Sequence, residues 1–133
     1  MDVQDFGRRY TKAWCDLDSA GVAAFHEPQS SLKVNDAEPA VGREAIADVA
    51  RDFMTAFPDM VLEMDGIEGD ANTVVYRWTF IGTNTGPGGT GRPVRFSGYE
   101  EWTFGDDGLI TESLGHFDAA DYERQLEGLD GPS

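Results

Sequence analysis

Thr73-Val74-Val75-Tyr76-Arg77-Trp78-Thr79-Phe80-Ile81-Gly82-Thr83 is the most informative run of the chain. Taken on alternating sides, it puts Val74, Tyr76, Trp78 and Phe80 on one face and Val75, Arg77, Thr79 and Ile81 on the other. Successive side chains of a strand point to opposite faces, so this is a long β-strand. Both faces are too apolar for a sheet with one wet side, and both are expected to be covered. Arg77 is the odd residue. An arginine among such neighbours needs a carboxylate or a ligand, because an unpaired buried charge is very costly.

Upstream of that strand the spacing is helical. Phe6, Tyr10, Trp14 and Leu17 mark one face of a first helix. Asp18 or Ser19 can cap a short second one that carries Val22 and Phe25 and stops around Pro28. Leu32 and Val34 alternate with polar neighbours as a short strand, and Ile46, Val49, Ala50, Phe53 and Phe57 mark a third helix ended by Pro58. Downstream the chain is extended. Val61 to Ile67, Pro93 to Phe104 and Leu109 to Phe117 read as strands, with Asp118 capping a terminal helix. The connection rich in glycine (Gly86, Gly88, Gly89, Gly91) is expected to be a flexible hairpin. Helices first and a meander of strands second predict an α+β fold with the helices on one face of an antiparallel sheet.

The chain has 133 residues, a common size for one domain, and 40% of them are hydrophobic. We read residues 1–133 as a single domain, with 127–133 as a frayed tail. Ten basic against 25 acidic residues give a formal charge of −15. That argues against nucleic acid and anionic membranes, whose binding depends on Lys and Arg. Cys15 is the sole cysteine, so no intrachain disulfide forms and a cytoplasmic location is expected. A buried, inert thiol is expected there.

Common catalytic motifs are missing. The glycine loop lacks the Gly-Lys-Ser/Thr ending of a phosphate loop and leads into a strand. His26, His116 and Cys15 show no metal-ligand spacing, the acidic turns do not follow a calcium loop, and no Gly-x-Ser-x-Gly elbow exists. No metal and no cofactor are expected. His116 can serve as a general base, but a structural role is the simpler reading. Hairpin geometry suggests a different site. A loop folded symmetrically near Gly88 and Gly89 sets Arg77 opposite Glu100, and a reversal at Asp107 and Gly108 sets Glu100 opposite Gly115. One slipped residue would move every side chain to the other face. This row is either a structural salt bridge or a pocket-facing pair.

Several segments together resemble the SnoaL-like polyketide cyclase branch of the nuclear-transport-factor-2-like superfamily. They are Pro39-Ala40-Val41-Gly42-Arg43-Glu44-Ala45-Ile46, Phe57-Pro58-Asp59, Tyr76-Arg77-Trp78-Thr79 and Gly82-Thr83-Asn84-Thr85-Gly86. Thr90-Gly91-Arg92-Pro93-Val94, Asp107-Gly108-Leu109-Ile110-Thr111-Glu112, Phe117-Asp118 and Gln125-Leu126 continue the series. The resemblance implies a conical α+β barrel, often dimeric, with a pocket between the helices and the concave sheet face. It also covers limonene-epoxide hydrolases, whose Asp-Arg-Asp arrangement would match Arg77. Thr79 and Gly115 stand where that arrangement has aspartates, and the cyclases' acid/base aspartate also falls at Gly115.

Two readings follow. In one, Glu100 reaches over Gly115 and serves as acid/base with Arg77, giving a cofactor-free cyclase, isomerase or lyase for a small hydrophobic molecule. In the other, the same pocket binds such a molecule without chemistry. Either way Tyr10, Trp14, Phe53, Phe57, Thr79, Phe96, Trp102, Gly115 and Phe117 are the expected lining. If Arg77 faces the pocket, Tyr76, Trp78 and Phe80 point outward, and that aromatic row predicts a homodimer.

Overall fold

The computed structural model describes residues 2–70 and 72–127. Helix α1 (Val3–Cys15) and a short α2 (Ser19–Ala23) precede strand β1 (His26–Val34) and a two-residue β2 (Ala40–Val41). Helix α3 (Arg43–Ala56) follows, then β3 (Val61–Gly69), β4 (Thr73–Thr83), β5 (Pro93–Phe104), β6 (Ile110–Phe117) and α4 (Ala119–Glu127). The six strands form one curved, open sheet in the order β2-β1-β6-β5-β4-β3. All neighbours are antiparallel except β1 and β6, which run parallel because the chain returns to that edge after the meander. The α+β class with N-terminal helices on one sheet face is as expected.

The helix ends follow from local chemistry. Asp2 accepts the Asp5 backbone N–H at 3.1 Å, Asp18 accepts Gly21 at 2.9 Å and Asp118 accepts Asp121 at 3.1 Å. Each satisfies an N–H that the first turn leaves without a partner. Helix α3 stops at Phe57, the residue before Pro58. Glu127 closes α4 rather than opening a tail, and the remaining 128–133 lie outside the described residues.

The core sits between helices and sheet. Tyr76, Trp78 and Phe80 of β4 and Phe96 and Trp102 of β5 all point inward and are buried. Each such side chain contributes about 1.5–3 kcal/mol of hydrophobic stabilisation. Tyr76 stacks on Trp102 with centroids 4.8 Å apart, and the Tyr10 ring of α1 meets Trp102 edge-on at 4.9 Å. Gly98 makes room for one of these rings. A Cβ there would stand 2.7 Å from Cζ2 of Trp78, which lies across the strand.

This inward row corrects the expected facing of β4. Thr83 pairs with Pro93, so the hairpin centres on Gly88, and Arg77 stands opposite Tyr99 while Tyr76 stands opposite Glu100. The expected centre between Gly88 and Gly89 is displaced by half a residue, which turns each side chain to the other face. The outer face therefore shows Val75, Arg77, Thr79 and Ile81, and the exposed aromatic row that predicted a dimer does not exist. The second expected pairing, Glu100 with Gly115, is observed.

Three smaller corrections follow. Strand β1 starts at His26, well before the expected Leu32, and β2 was unforeseen. The glycine-rich connection is pinned rather than free: buried Asn84 donates to the Ala56 carbonyl at 3.2 Å and accepts Thr90 N–H at 2.8 Å. Cys15 is exposed, on the last turn of α1, and its thiol lies 3.3 Å from the Leu62 carbonyl oxygen.

Candidate functional site

Glu100 is the centre of the candidate site. It lies on the inner face of β5 between Gly98 and Trp102 and is 8% exposed. Oε1 accepts from Ser113 Oγ at 2.9 Å, from Tyr10 Oη at 3.0 Å and from Trp102 Nε1 at 3.2 Å. Among the described residues, Oε2 accepts a hydrogen bond only from Tyr10, at 3.2 Å. Among the described residues no cation forms a salt bridge with it. Its two oxygens are therefore unequal. One is saturated with donors and the other keeps spare capacity.

Burial raises the Glu100 pKa, and the hydrogen bonds from Ser113, Trp102 and Tyr10 pull against it without cancelling it. Each donor favours the charged form, but burial penalises that form more. The Tyr10 hydroxyl is pushed well above the usual phenol range, first by burial and then by the Glu100 charge. Tyr10 therefore stays a donor to the carboxylate.

Beside this carboxyl opens a small cavity of about 70 Å³. Tyr10, Trp14, Phe53, Phe96, Glu100, Gly115 and Phe117 line it, all of them among the expected residues. Leu32, Val34, Val49, Leu62, Trp78 and Phe80 complete the wall. The lining is aromatic and aliphatic apart from the Glu100 cluster, the make-up of a small-molecule site. A Cβ added at Gly115 would meet Lys33 O at 3.6 Å and Glu100 Cγ at 3.8 Å, ordinary contacts. Position 115 is open, then, and Glu100 borders the space that a side chain there would enter.

The remaining expected residues stand elsewhere. Arg77 is on the outer face, about half exposed, with its guanidinium 2.9 Å from Glu68 Oε1, so it is no partner of Glu100. Its strand position is outward, and water plus Glu68 satisfies it. Thr79 is also on that face, hydrogen-bonded to Asp65 at 2.5 Å and to Ser97 at 2.8 Å, away from the cavity. Phe57 is fully buried against Phe80 and does not reach the cavity wall. Trp102 is buried beneath Tyr76 and contributes an N–H to Glu100 rather than a wall.

Ser113 escaped the sequence reading. It sits two residues before Gly115 on β6 and shares its face, and that parity was the available signal. Neither histidine joins the site. His116 stacks on Tyr99 on the outer face, its Nε2 3.5 Å from Glu101. His26 is fully buried, with Nδ1 3.1 Å from Ser30 Oγ and Nε2 without a partner. Burial, aided by the Arg43 charge, lowers its pKa to about 4. Among the described residues no group of three or more His, Cys, Asp or Glu is placed to hold a metal ion, and no helix is long and apolar enough to cross a membrane.

The family described as SnoaL-like polyketide cyclase matches residues 4–126. No curated protein matches the chain. Among solved structures, the proposed hydroxylase AclR from Streptomyces galilaeus superposes with a TM-score of 0.81 at 24% identity, over 98% of this chain and 83% of that one. A proposed SnoaL-like polyketide cyclase from Jannaschia sp. CCS1 gives 0.75 at 16% identity, over 91% and 89%. A protein with a ketosteroid isomerase-like fold from Catenulispora acidiphila, in complex with trimethylamine, gives 0.78 at 11% identity, over 90% of each. At such identities the likeness carries the fold alone.

Proposed function

The chain belongs to the SnoaL-like polyketide cyclase family, and from that premise we propose that it catalyses proton transfer on a small hydrophobic carbonyl compound, with Glu100 as the acid/base. The observation that carries this reading is one buried carboxyl, without a counter-cation, bordering an otherwise apolar cavity. A structural carboxylate gains little from such a place. A base gains much, because desolvation makes the carboxylate a stronger proton acceptor.

The chemistry follows from the two oxygens. Ser113, Tyr10 and Trp102 hold Oε1 and so fix the rotamer, which leaves Oε2 to take the proton. Oε2 removes a proton from the carbon beside the substrate carbonyl, and the C–H electron pair moves onto the carbonyl oxygen as an enolate. Returning the proton to another carbon gives an isomerisation. Expelling a group from the β carbon gives a lyase, and attack on a second carbonyl gives a cyclase. All three share the first step and need one well-placed carboxylate.

A second reading, a binding protein without chemistry, has its own support: three donors satisfy Glu100 as fully as a structural role would require. Hydrogen–deuterium exchange separates the two. The protein is incubated with 2-tetralone in D2O and loss of the proton signals beside the carbonyl is followed by NMR. We expect exchange above the buffer rate, lowered by roughly 10²–10⁴ in Glu100→Gln, the usual worth of a general base. Exchange at the buffer rate in the native protein, with 2-tetralone bound, would leave only the binding reading.

A further inference from the structure

The cavity beside Glu100 measures about 70 Å³. A dry cavity of about 150 Å³ is what holds one benzene ring, and small-molecule sites run to about 300–1,000 Å³. A wall must therefore move before an organic molecule enters. Which wall moves follows from how firmly each element is anchored. Helix α1 is held by buried Phe6 and Tyr10, and α3 by buried Ile46, Ala47, Ala50 and Met54. Helix α4 buries none of its nine residues. Elements with few buried contacts open at the lowest cost, and ligand gates are drawn from them.

Helix α4 nevertheless braces the cavity. Its Tyr122 ring lies 4.8 Å from that of Phe96 and 5.6 Å from that of Phe117, centroid to centroid. Both phenylalanines line the cavity and Tyr122 does not, so Tyr122 backs the wall from behind. The far end of α4 is fastened by one side chain. Gln125 Oε1 accepts the Arg95 backbone N–H at 2.7 Å, and its Nε2 donates to the Arg95 carbonyl at 2.9 Å. Strand β6 pairs with β5 only as far as Gly98, so the Gln125 amide takes the place of a missing strand partner. At the near end Asn35 Oδ1 accepts the Phe117 N–H at 2.9 Å and fixes the last residue of β6, while the Asp118 side chain caps the helix. The joint between these two fixed pieces is the Asp118 backbone.

We propose that α4 is a hinged lid on the Glu100 cavity. Turning about Asp118, with Gln125 as its latch, it withdraws Tyr122 and frees the Phe96 and Phe117 rings to rotate outward, which enlarges the cavity for a ligand. This rests on the reading of the cavity as a small-molecule site and adds how that site is entered. The open form admits the ligand, and the closed form keeps water from the buried carboxyl.

Two measurements test this, one of them without any ligand. The backbone amides of α4 should exchange with D2O through a local opening, at least about 10-fold faster than those of α3 after correction for intrinsic rates. Gln125→Ala should speed α4 alone by a further 5- to 10-fold or so, roughly the worth of the hydrogen bonds it loses. The second measurement is stopped-flow tryptophan fluorescence, to which Trp14 and Trp78 of the wall contribute, on mixing with 2-tetralone. Its association rate should rise by about the same factor in Gln125→Ala, because a larger share of the molecules is open. Arg124→Ala removes an exposed ion pair with Asp121 on the same helix and should leave that rate within about 2-fold. Amides of α4 as protected as those of α3 would overturn the proposal. So would entry of 2-tetralone at one rate in all three proteins, a result that leaves Glu100 as the base. A protein that shows no proton exchange on 2-tetralone, yet takes it up faster in Gln125→Ala, keeps the lid and loses the base. Failure of 2-tetralone to bind any of the three removes the small-molecule site and the lid with it.

Discussion

The two faces of the sheet treat charge in opposite ways. On the outer face Arg77 pairs with Glu68 at 2.9 Å, His116 lies 3.5 Å from Glu101 and Arg95 stands 4.0 Å from Glu63, all substantially exposed. On the inner face Glu100 has three neutral donors and no cation. Water screens the outer pairs, so each is worth little. The inner carboxyl is held where ionisation is penalised, and its acidity is shifted for that reason. Opposite charges in contact are thus the less informative sight in this molecule. The residue that matters is the one denied a counter-charge.

Neighbouring residues on one strand give the sharpest way to break that contrast. Tyr76 is fully buried, stacked on Trp102 and packed edge-on against Tyr10. Truncation to Ala leaves a large cavity under the site, and about 3–5 kcal/mol of stability should be lost. Urea unfolding measures this directly. A loss under about 1 kcal/mol would mean that Tyr76 does not face the core.

The next effect comes from His26, the other buried group without a counter-charge. Its folded pKa of about 4 lies below the ordinary 6.5. Between those values the unfolded chain binds the proton and the folded one resists it, so stability falls as pH drops through that window. The full loss amounts to roughly 3 kcal/mol at 1.36 kcal/mol per unit. Urea midpoints taken from pH 7 to 4 should show this slope in the native protein and lose it in His26→Gln. An unchanged slope in the variant would assign the acid sensitivity elsewhere.

Glu100 should give a slope of the opposite sign. Its pKa is raised above 4.5 in the folded protein, so the folded state holds its proton longer and stability declines as pH climbs past that value. In Glu100→Gln an amide oxygen can still accept the donors now on Oε1, and the penalty for ionising a buried group is gone. The variant should melt higher than the native protein at pH 7, with the gain shrinking to nothing at or below pH 4.5. A lower Tm at pH 7 would show that the donors stabilise the carboxylate more than burial opposes it. Loss of exchange activity together with gain of stability is the signature of a functional carboxyl.

How much of this was legible depended on the length scale of the rule applied. Strands β4 and β5 end at the residues their apolar alternation indicated, because two-residue periodicity spans the whole run. The pairing of Glu100 with Gly115 was also legible, from the tight reversal between β5 and β6. The facing of β4 was not. It depended on whether the connection from Asn84 to Arg92 centres on Gly88 or just beyond it, and nothing in a run of glycines distinguishes the two. That half-residue moved Arg77 and Thr79 out of the site and brought Trp78 and Phe80 into the cavity wall. Strand β2 is two residues long and has no period to read. The donors on Glu100 come from α1, β5 and β6, and no local pattern brings Tyr10, Trp102 and Ser113 to one oxygen.

The smallest expected effect closes the contrast at Arg77, one residue from Tyr76. Sequence alone made Arg77 the polar centre, and the structure puts it in water beside Glu68. Replacing it with Ala removes an exposed ion pair and part of an aliphatic stem lying on the outer face. Such pairs are worth about 0.2–1 kcal/mol, and salt screens them further. Arg77→Ala should therefore cost under about 1 kcal/mol in urea unfolding, and the difference should narrow in 0.5 M salt, roughly five times the 0.1 M at which screening already acts within about 10 Å. Deuterium exchange of 2-tetralone should be unchanged, because the Arg77 side chain lies on the outer face with Glu68 and makes no hydrogen bond to Glu100 or its three donors. A variant that folds normally but loses exchange would return Arg77 to the site and reverse the assignment of the two faces.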